Sequence, residues 1–152
     1  MRVLALDIGE RRVGVAISDP AAKVASPLVV LDAAAVVSGG ALASLLEEWE
    51  VGLIVVGLPL TMRGEEGKQA RRVREVADGL AERVDVPIML YDERLSSAEA
   101  ERAMRAAGVT EKKSRGSLDK VAAAIFLQSF LDSGAHERDD GQGGGFDGTE
   151  RP

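Results

Sequence analysis

The chain predicts an α/β domain: a mixed sheet with helices packed against it. Three observations point there. Short apolar runs of strand length recur at residues 2–7, 13–18, 24–31, 52–57 and 86–91. Stretches of helical period separate the later runs. The length, 152 residues, suits one domain, and with 45% hydrophobic but only 3% aromatic residues its core has to be aliphatic, made of Val, Leu, Ile and Ala.

The elements follow in order. Residues 2–7 and 13–18 are strands joined by a tight turn at Gly9 to Arg12, an antiparallel hairpin. Residues 24–31 make a third strand, in which Pro27, having no N–H for the ladder, marks an edge or a bulge. Asp32 to Gly40 reads as a connection. Ala41 to Glu50 reads as helix, with Leu42, Leu45, Leu46 and Trp49 at helical spacing and Trp49 as core packing, not a base-stacking platform. Gly52 to Gly57 is an unbroken apolar run, hence a buried strand. After the loop Leu58 to Gly64, a helix runs from about Glu66 to Arg83 on a stripe of Val73, Val76, Ala77 and Leu80. Residues 86–91 form the next strand, with Pro87 tolerated at its start. Ser96 and Glu99 make a capping box for a helix to about Ala107, which Gly108 ends. Thr110 to Gly116 is a basic loop, and Ser117 caps a last helix, Leu118 to about Leu131. Hairpin first and strand–helix units afterwards predict a mixed sheet.

Residues 134–152 are Gly-rich and acidic, too poor in apolar groups to pack, and the expectation is a disordered tail beyond a domain of residues 1–133. The single histidine, His136, falls in this tail and so outside the chemistry. Five acids against two bases give the tail a net charge of −3, leaving −3 of the total −6 for the domain. An acidic average argues against non-specific coating of nucleic acid. Yet bases gather locally: Arg63, Lys68, Arg71, Arg72 and Arg74 in one segment, Arg102, Arg105, Lys112, Lys113, Arg115 and Lys120 in another. Such clusters suit a polyanionic substrate, or are solvated helix faces. With no cysteine, a disulfide framework and a thiolate metal site are both excluded, which accords with a reducing cytoplasm. Val3 to Leu6 is too short for a signal peptide, and no run reaches the ~20 apolar residues of a membrane span.

The candidate chemistry rests on three acids. Asp7 ends the first strand, Glu93 follows the strand that ends at Tyr91, and Asp119 leads a helical stripe through Ala122, Ala123, Phe126 and Phe130. Crowded carboxylates resist joint ionisation unless a cation joins them. Hard oxygen ligands favour magnesium or manganese. Two such ions about 3.5–4 Å apart activate water and stabilise the leaving oxygen of a phosphodiester. Each acid has a plainer explanation. Asp7 can simply stop a strand, Asp119 can sit at a helix N-terminus for the dipole, and Glu93 can pair with Arg94. Asp92 stays open as the ligand in place of Glu93, because neighbours on an extended segment face opposite sides.

Four segments, Leu4–Ile17, Ile54–Gly64, Tyr91–Ser97 and Ser117–Ile125, closely resemble the YqgF/RuvX family of the ribonuclease H-like superfamily. The likeness runs in register over about residues 2–132 and leaves the tail outside. It implies a ribonuclease H-like fold, a five-stranded mixed sheet whose first three strands are antiparallel, flanked by helices. It implies that Asp7, Glu93 and Asp119 occupy the catalytic and metal positions. It also implies a metal-dependent nuclease maturing the 5′ end of pre-16S rRNA during ribosome biogenesis, with resolution of Holliday junctions as the older proposal. Arg63 stands where the family loop often carries an acid, so this loop is more basic here.

The leading expectation is a cytoplasmic nuclease that uses Mg2+ or Mn2+ on structured RNA, with Arg12, Arg63, Arg71, Lys112, Lys113 and Arg115 contacting the backbone. A resolvase of branched DNA would share the chemistry but needs two sites on one junction, usually a symmetric homodimer rather than a monomer. Residues 24–30 offer an edge for one. An actin-like kinase also opens on Asp-x-Gly but needs a second lobe for which this chain has no room. A non-catalytic RNA-binding or assembly module would keep the acids for structure alone.

Overall fold

Strand β1 (Arg2–Ile8) has side chains of two sizes on its two faces. Val3 and Ala5 lie in one apolar cluster, whereas Leu4, Leu6 and Ile8 lie in another. A strand apolar on both faces belongs at the centre of a sheet covered on both sides, and β1 is central. The computed structural model describes residues 1–96, 98–106 and 115–140, with backbone alone at 103, 115–119 and 138–140.

Around β1 stand β2 (Arg12–Ser18), β3 (Ala25–Asp32), β4 (Val51–Leu58) and β5 (Ile88–Asp92), in the spatial order β3-β2-β1-β4-β5. β1, β2 and β3 pair antiparallel, and β4 and β5 join parallel. This is the mixed sheet predicted. Pro27 sits on edge strand β3 and borders a register shift: Val15 pairs with Val29, but Ala16 pairs with Pro27. The missing N–H thus falls where the ladder is already interrupted.

One face carries α1 (Ala33–Ser38), α2 (Gly40–Glu48) and α3 (Lys68–Ala81). The segment 32–40 is therefore not a bare connection. Ala33 and Val36 bury against the sheet, and Gly39, with φ 91°, ends the helix in the left-handed conformation. Trp49 packs half-buried against this layer, with the Arg2 guanidinium 5.4 Å from its ring centre.

The other face carries α4 (Ala98–Ala106), α5 (Arg115–Ser133) and α6 (Ala135–Asp140). Small residues on the sheet here, Ala5, Ala16 and Ala25, meet Ala123, Ala124, Phe126, Leu127 and Phe130 of α5. Alanine against alanine lets the helix axis approach the sheet closely, and the two phenylalanines fill the space toward β5. Tyr91 packs edge-on to Phe130 at 5.1 Å and tilted to Phe126 at 5.7 Å.

Two further expectations change. Helix α5 starts at Arg115, so Ser117 lies within it and does not cap it. Beyond residue 134 the chain still packs: α6 forms, Ala135 and His136 are buried, and the His136 ring lies 5.9 Å from that of Phe130. Composition averaged over the whole tail hid this local contact. Residues 141–152 lie outside the described ones. No helix among the described residues is long and apolar enough to cross a membrane.

Candidate active site

The alternation that buries Val3 and Ala5 under α5 puts Asp7 on the same face, at the strand's end, where the cover thins. Asp7 pairs in register with Gly14 of β2. On its other side β4 runs parallel, Leu6 against Val56, so Gly57 is the neighbour of Asp7 there. Gly57 in turn pairs with Tyr91 of β5.

Glu93 leaves β5 in a short 3-10 turn, Glu93–Leu95, and its side chain folds back over Gly57. A Cβ on Gly57 would stand 2.6 Å from Glu93 Oε2 and 2.8 Å from its Cγ. Nothing larger than glycine leaves that carboxylate its place. The Glu93 carboxyl, protonated, donates a hydrogen bond to Asp7. Burial, then the charge and hydrogen bond of Asp7, then the charge of Asp92 push Glu93 up to about 7. The two carboxyls therefore resist ionising together.

Of the neighbours Asp92 and Glu93, it is Glu93 whose side chain meets Asp7. Asp92 accepts from Arg94 through its side chain, at 2.7 Å from Nη2, and from the Arg94 backbone N–H at 2.9 Å. The Arg94 hydrogen bonds hold its pKa below the usual carboxylate range. Arg94 thus belongs to Asp92 and not to Glu93. Ser129 of α5 steadies the same turn from the other side, its hydroxyl donating to Leu95 O at 2.7 Å.

Asp7 and Glu93 open into a cleft of about 290 Å³, lined also by Ser96, Glu101, Ala122, Ile125 and Phe126. Ala122 therefore faces the cleft and is exposed, and does not belong to the buried stripe predicted for it. Position 119 lies one helical turn before Ala122 on α5, in line with Ala122, Phe126 and Ser129. The side chain of Asp119 lies outside the described ones. Among the described residues no three His, Cys, Asp or Glu side chains gather as a metal cluster. The pair present nevertheless fits a hard divalent cation: both donors are carboxylate oxygens, and their mutual repulsion is what a cation would relieve.

Sequence reasoning missed Glu101, a cleft-lining acid on α4 that pairs with Arg105 at 2.7 Å. It also missed Gly57. Glu101 has no signal in the chain beyond its place in an acidic first helical turn. Gly57 sits in an apolar strand, and that is a hint that something approaches it.

The basic candidates separate. Arg63 is exposed at the tip of the loop after β4. Arg12, half-buried, opens β2. Arg71 lines a different cleft of about 580 Å³ with Glu10, Lys68, Gln69, Arg72 and Glu75, and donates to Glu66 O at 3.2 Å. Two of its neighbours do structural work. Arg72 clamps the β1–β2 turn by donating to Gly9 O at 2.9 Å and to Glu10 O at 3.2 Å, and Arg74 pairs with Glu66. Lys112 and Lys113 lie outside the described residues, as does the side chain of Arg115.

A central five-stranded mixed sheet with helices on both faces and a carboxylate pair at one rim is the ribonuclease H-like architecture. The chain shares its fold with Thermus thermophilus RuvC in complex with a Holliday junction substrate: TM-score 0.58, 18% identity, 89% of this chain and 97% of that one. It shares it also with the fowlpox virus resolvase bound to Holliday junction DNA: TM-score 0.50, 13% identity, 88% and 98%. The family described as "RuvX: Holliday junction resolvase" matches residues 1–133, and the chain belongs to that family, one of nuclease-type hydrolases. Among its curated relatives is a protein of Chloroflexus aurantiacus, 46% identical over 132 residues, 86% of each chain. Another, from a Roseiflexus species, is 47% identical over 135 residues, 87% of this chain and 94% of that one. Both carry the name "Putative pre-16S rRNA nuclease".

Proposed function

We propose that the chain is a metal-dependent nuclease that hydrolyses phosphodiesters of structured RNA, processing the 5′ end of pre-16S rRNA. The observation that carries this reading is the Asp7–Glu93 pair in an open cleft at the sheet's rim, in a chain whose relatives bear that name. Asp7, Glu93 and Asp119 are the proposed holders of Mg2+ or Mn2+, two ions in the substrate complex. When bound, the metal supplies a more acidic water and stabilises charge on the leaving oxygen.

The chain's own residues prepare that chemistry. Asp7 is immobile because β1 is bonded on both sides. Glu93 is held by its turn and by the space over Gly57. Because Glu93 gives up its proton only near pH 7, cation binding releases that proton and strengthens as pH rises. Ala122, Ile125 and Phe126 wall the cleft with apolar surface, which lowers the local dielectric and strengthens attraction between the carboxylates and a cation. Arg12, Arg63, Arg71, Lys112, Lys113 and Arg115 are the proposed contacts to the nucleic-acid backbone.

The test is incubation of pure protein, with magnesium or manganese, with a pre-16S rRNA fragment and with a synthetic four-way DNA junction, side by side. Asp119→Asn is the control. Cleavage of the RNA at its 5′ boundary, lost in the variant, supports the proposal. Cleavage of the junction alone, by a homodimer, supports the second reading, which the family's description favours. Cleavage of neither, by protein that binds RNA without metal, means an assembly module.

A further inference from the structure

The described residues include five large hydrophobic side chains left exposed, and two of them belong to the turn that carries Glu93 or to the loop bonded to it. Leu95, 54% exposed, closes the turn that begins at Glu93. Met62 is 95% exposed, at the tip of the loop after β4. A single exposed apolar side chain is ordinary on a protein surface. Met62 differs in how firmly it is held out. Gly64 donates its N–H to Thr61 O at 2.8 Å, Thr61 donates to Glu65 O at 2.9 Å, and the Glu65 N–H reaches Thr61 Oγ1 at 3.1 Å. Gly64 has φ 85°, a conformation that side chains rarely adopt. The turn is thus closed on itself by three hydrogen bonds.

It is also fastened to the site. Arg94 donates from Nη1 to Met62 O at 3.3 Å while its Nε and Nη2 remain on Asp92. Arg94 is the residue after Glu93, so the tip of the turn is tied to the segment that carries that carboxylate. Arg63 follows Met62 and is exposed beside it. An unbranched apolar side chain on a rigid turn, with a cation next to it, matches one kind of surface. It fits a polymer with flat apolar faces inside and phosphates outside. Protein wedges of this type, methionine among them, enter base steps and unstack them.

We propose that Met62 is a wedge that enters the base stack of bound RNA beside the scissile phosphate. The inference rests on the nuclease reading above and deepens it: the enzyme selects a strand whose bases open easily at the cut. Arg63 meets the adjoining phosphate, and Arg94 is the positioning residue that keeps the wedge in register with Glu93.

The probe is an RNA hairpin with a single-stranded 5′ extension, carrying 2-aminopurine at successive positions across the boundary. Full-length Asp7→Asn protein, which binds without cutting, brightens the probe at one step next to the cut site. Adding Met62→Ala, a change in an exposed side chain, abolishes that signal while Kd moves less than about threefold. In the otherwise unaltered chain with magnesium, Met62→Ala lowers kcat about tenfold on the paired substrate with KM little changed, and a mismatch at that step restores the rate. Met62→Leu keeps most of the activity. Brightening that persists in the Met62→Ala protein, or equal cleavage of paired and mismatched hairpins by both enzymes, overturns the wedge and leaves the nuclease intact. A parent protein that neither binds nor cuts the hairpin brings down the nuclease reading, and the wedge with it.

Discussion

Glu93→Gln tests the shared proton, and it stabilises the metal-free protein. Glu93 rises from 4.5 in the unfolded chain to about 7 in the fold. Between those values the folded state holds a proton that the unfolded state has lost. Stability of the parent therefore falls as pH rises through this window and levels off above it. A shift of about 2.5 pH units corresponds to roughly 3.4 kcal/mol at most. The cleft is open and Glu93 only half-buried, so solvent screening reduces this to about 1–2 kcal/mol. Glutamine keeps the size and a donor toward Asp7 but has no proton to lose. The expected result is a variant close to the parent below pH 4.5 and more stable above pH 7 by that amount, a rise of roughly 3–8 °C in Tm. Thermal melts over the pH range in chelator give the difference curve directly. Repeating them with magnesium narrows or reverses the order near neutrality, since the parent, with its full set of proposed ligands, gains more from the cation. A difference that is independent of pH, or a variant less stable everywhere, refutes the argument: Glu93 would then be an ordinary structural partner.

Three further outcomes are expected. Asp7→Asn lowers cleavage at least about a hundredfold without loss of Tm, as gel assays and melting together would reveal; a variant as active as the parent removes Asp7 from the chemistry. Gly57→Ala drives a methyl into Glu93, 2.6 Å from Oε2, so magnesium affinity by calorimetry should drop about tenfold or more for a loss of about 1–3 kcal/mol in urea melts; unchanged affinity would mean Glu93 has other room. Phe130→Ala empties the space between α5, Tyr91 and His136 and should cost about 3–5 kcal/mol in urea; a loss under about 1 kcal/mol would mean that the layer collapses to fill the gap.

Much of this protein can be read along the chain because period and face are local properties. The strand runs, the hairpin, the edge position of Pro27 and the aliphatic core follow from spacing and residue type. So does the side of the sheet on which Asp7 stands, once Val3 and Ala5 are known to face a helix. Helix α1 and the packing of His136 escaped, because each depends on one or two small contacts that composition does not register. Only the assembled sheet could separate Asp92 from Glu93. Adjacent residues at a strand's end point apart, and which one turns inward depends on where Arg94 finds its partner and on an empty place over Gly57, on the strand next to Asp7. Those are distances between segments far apart in sequence, set by packing, and no local pattern carries them.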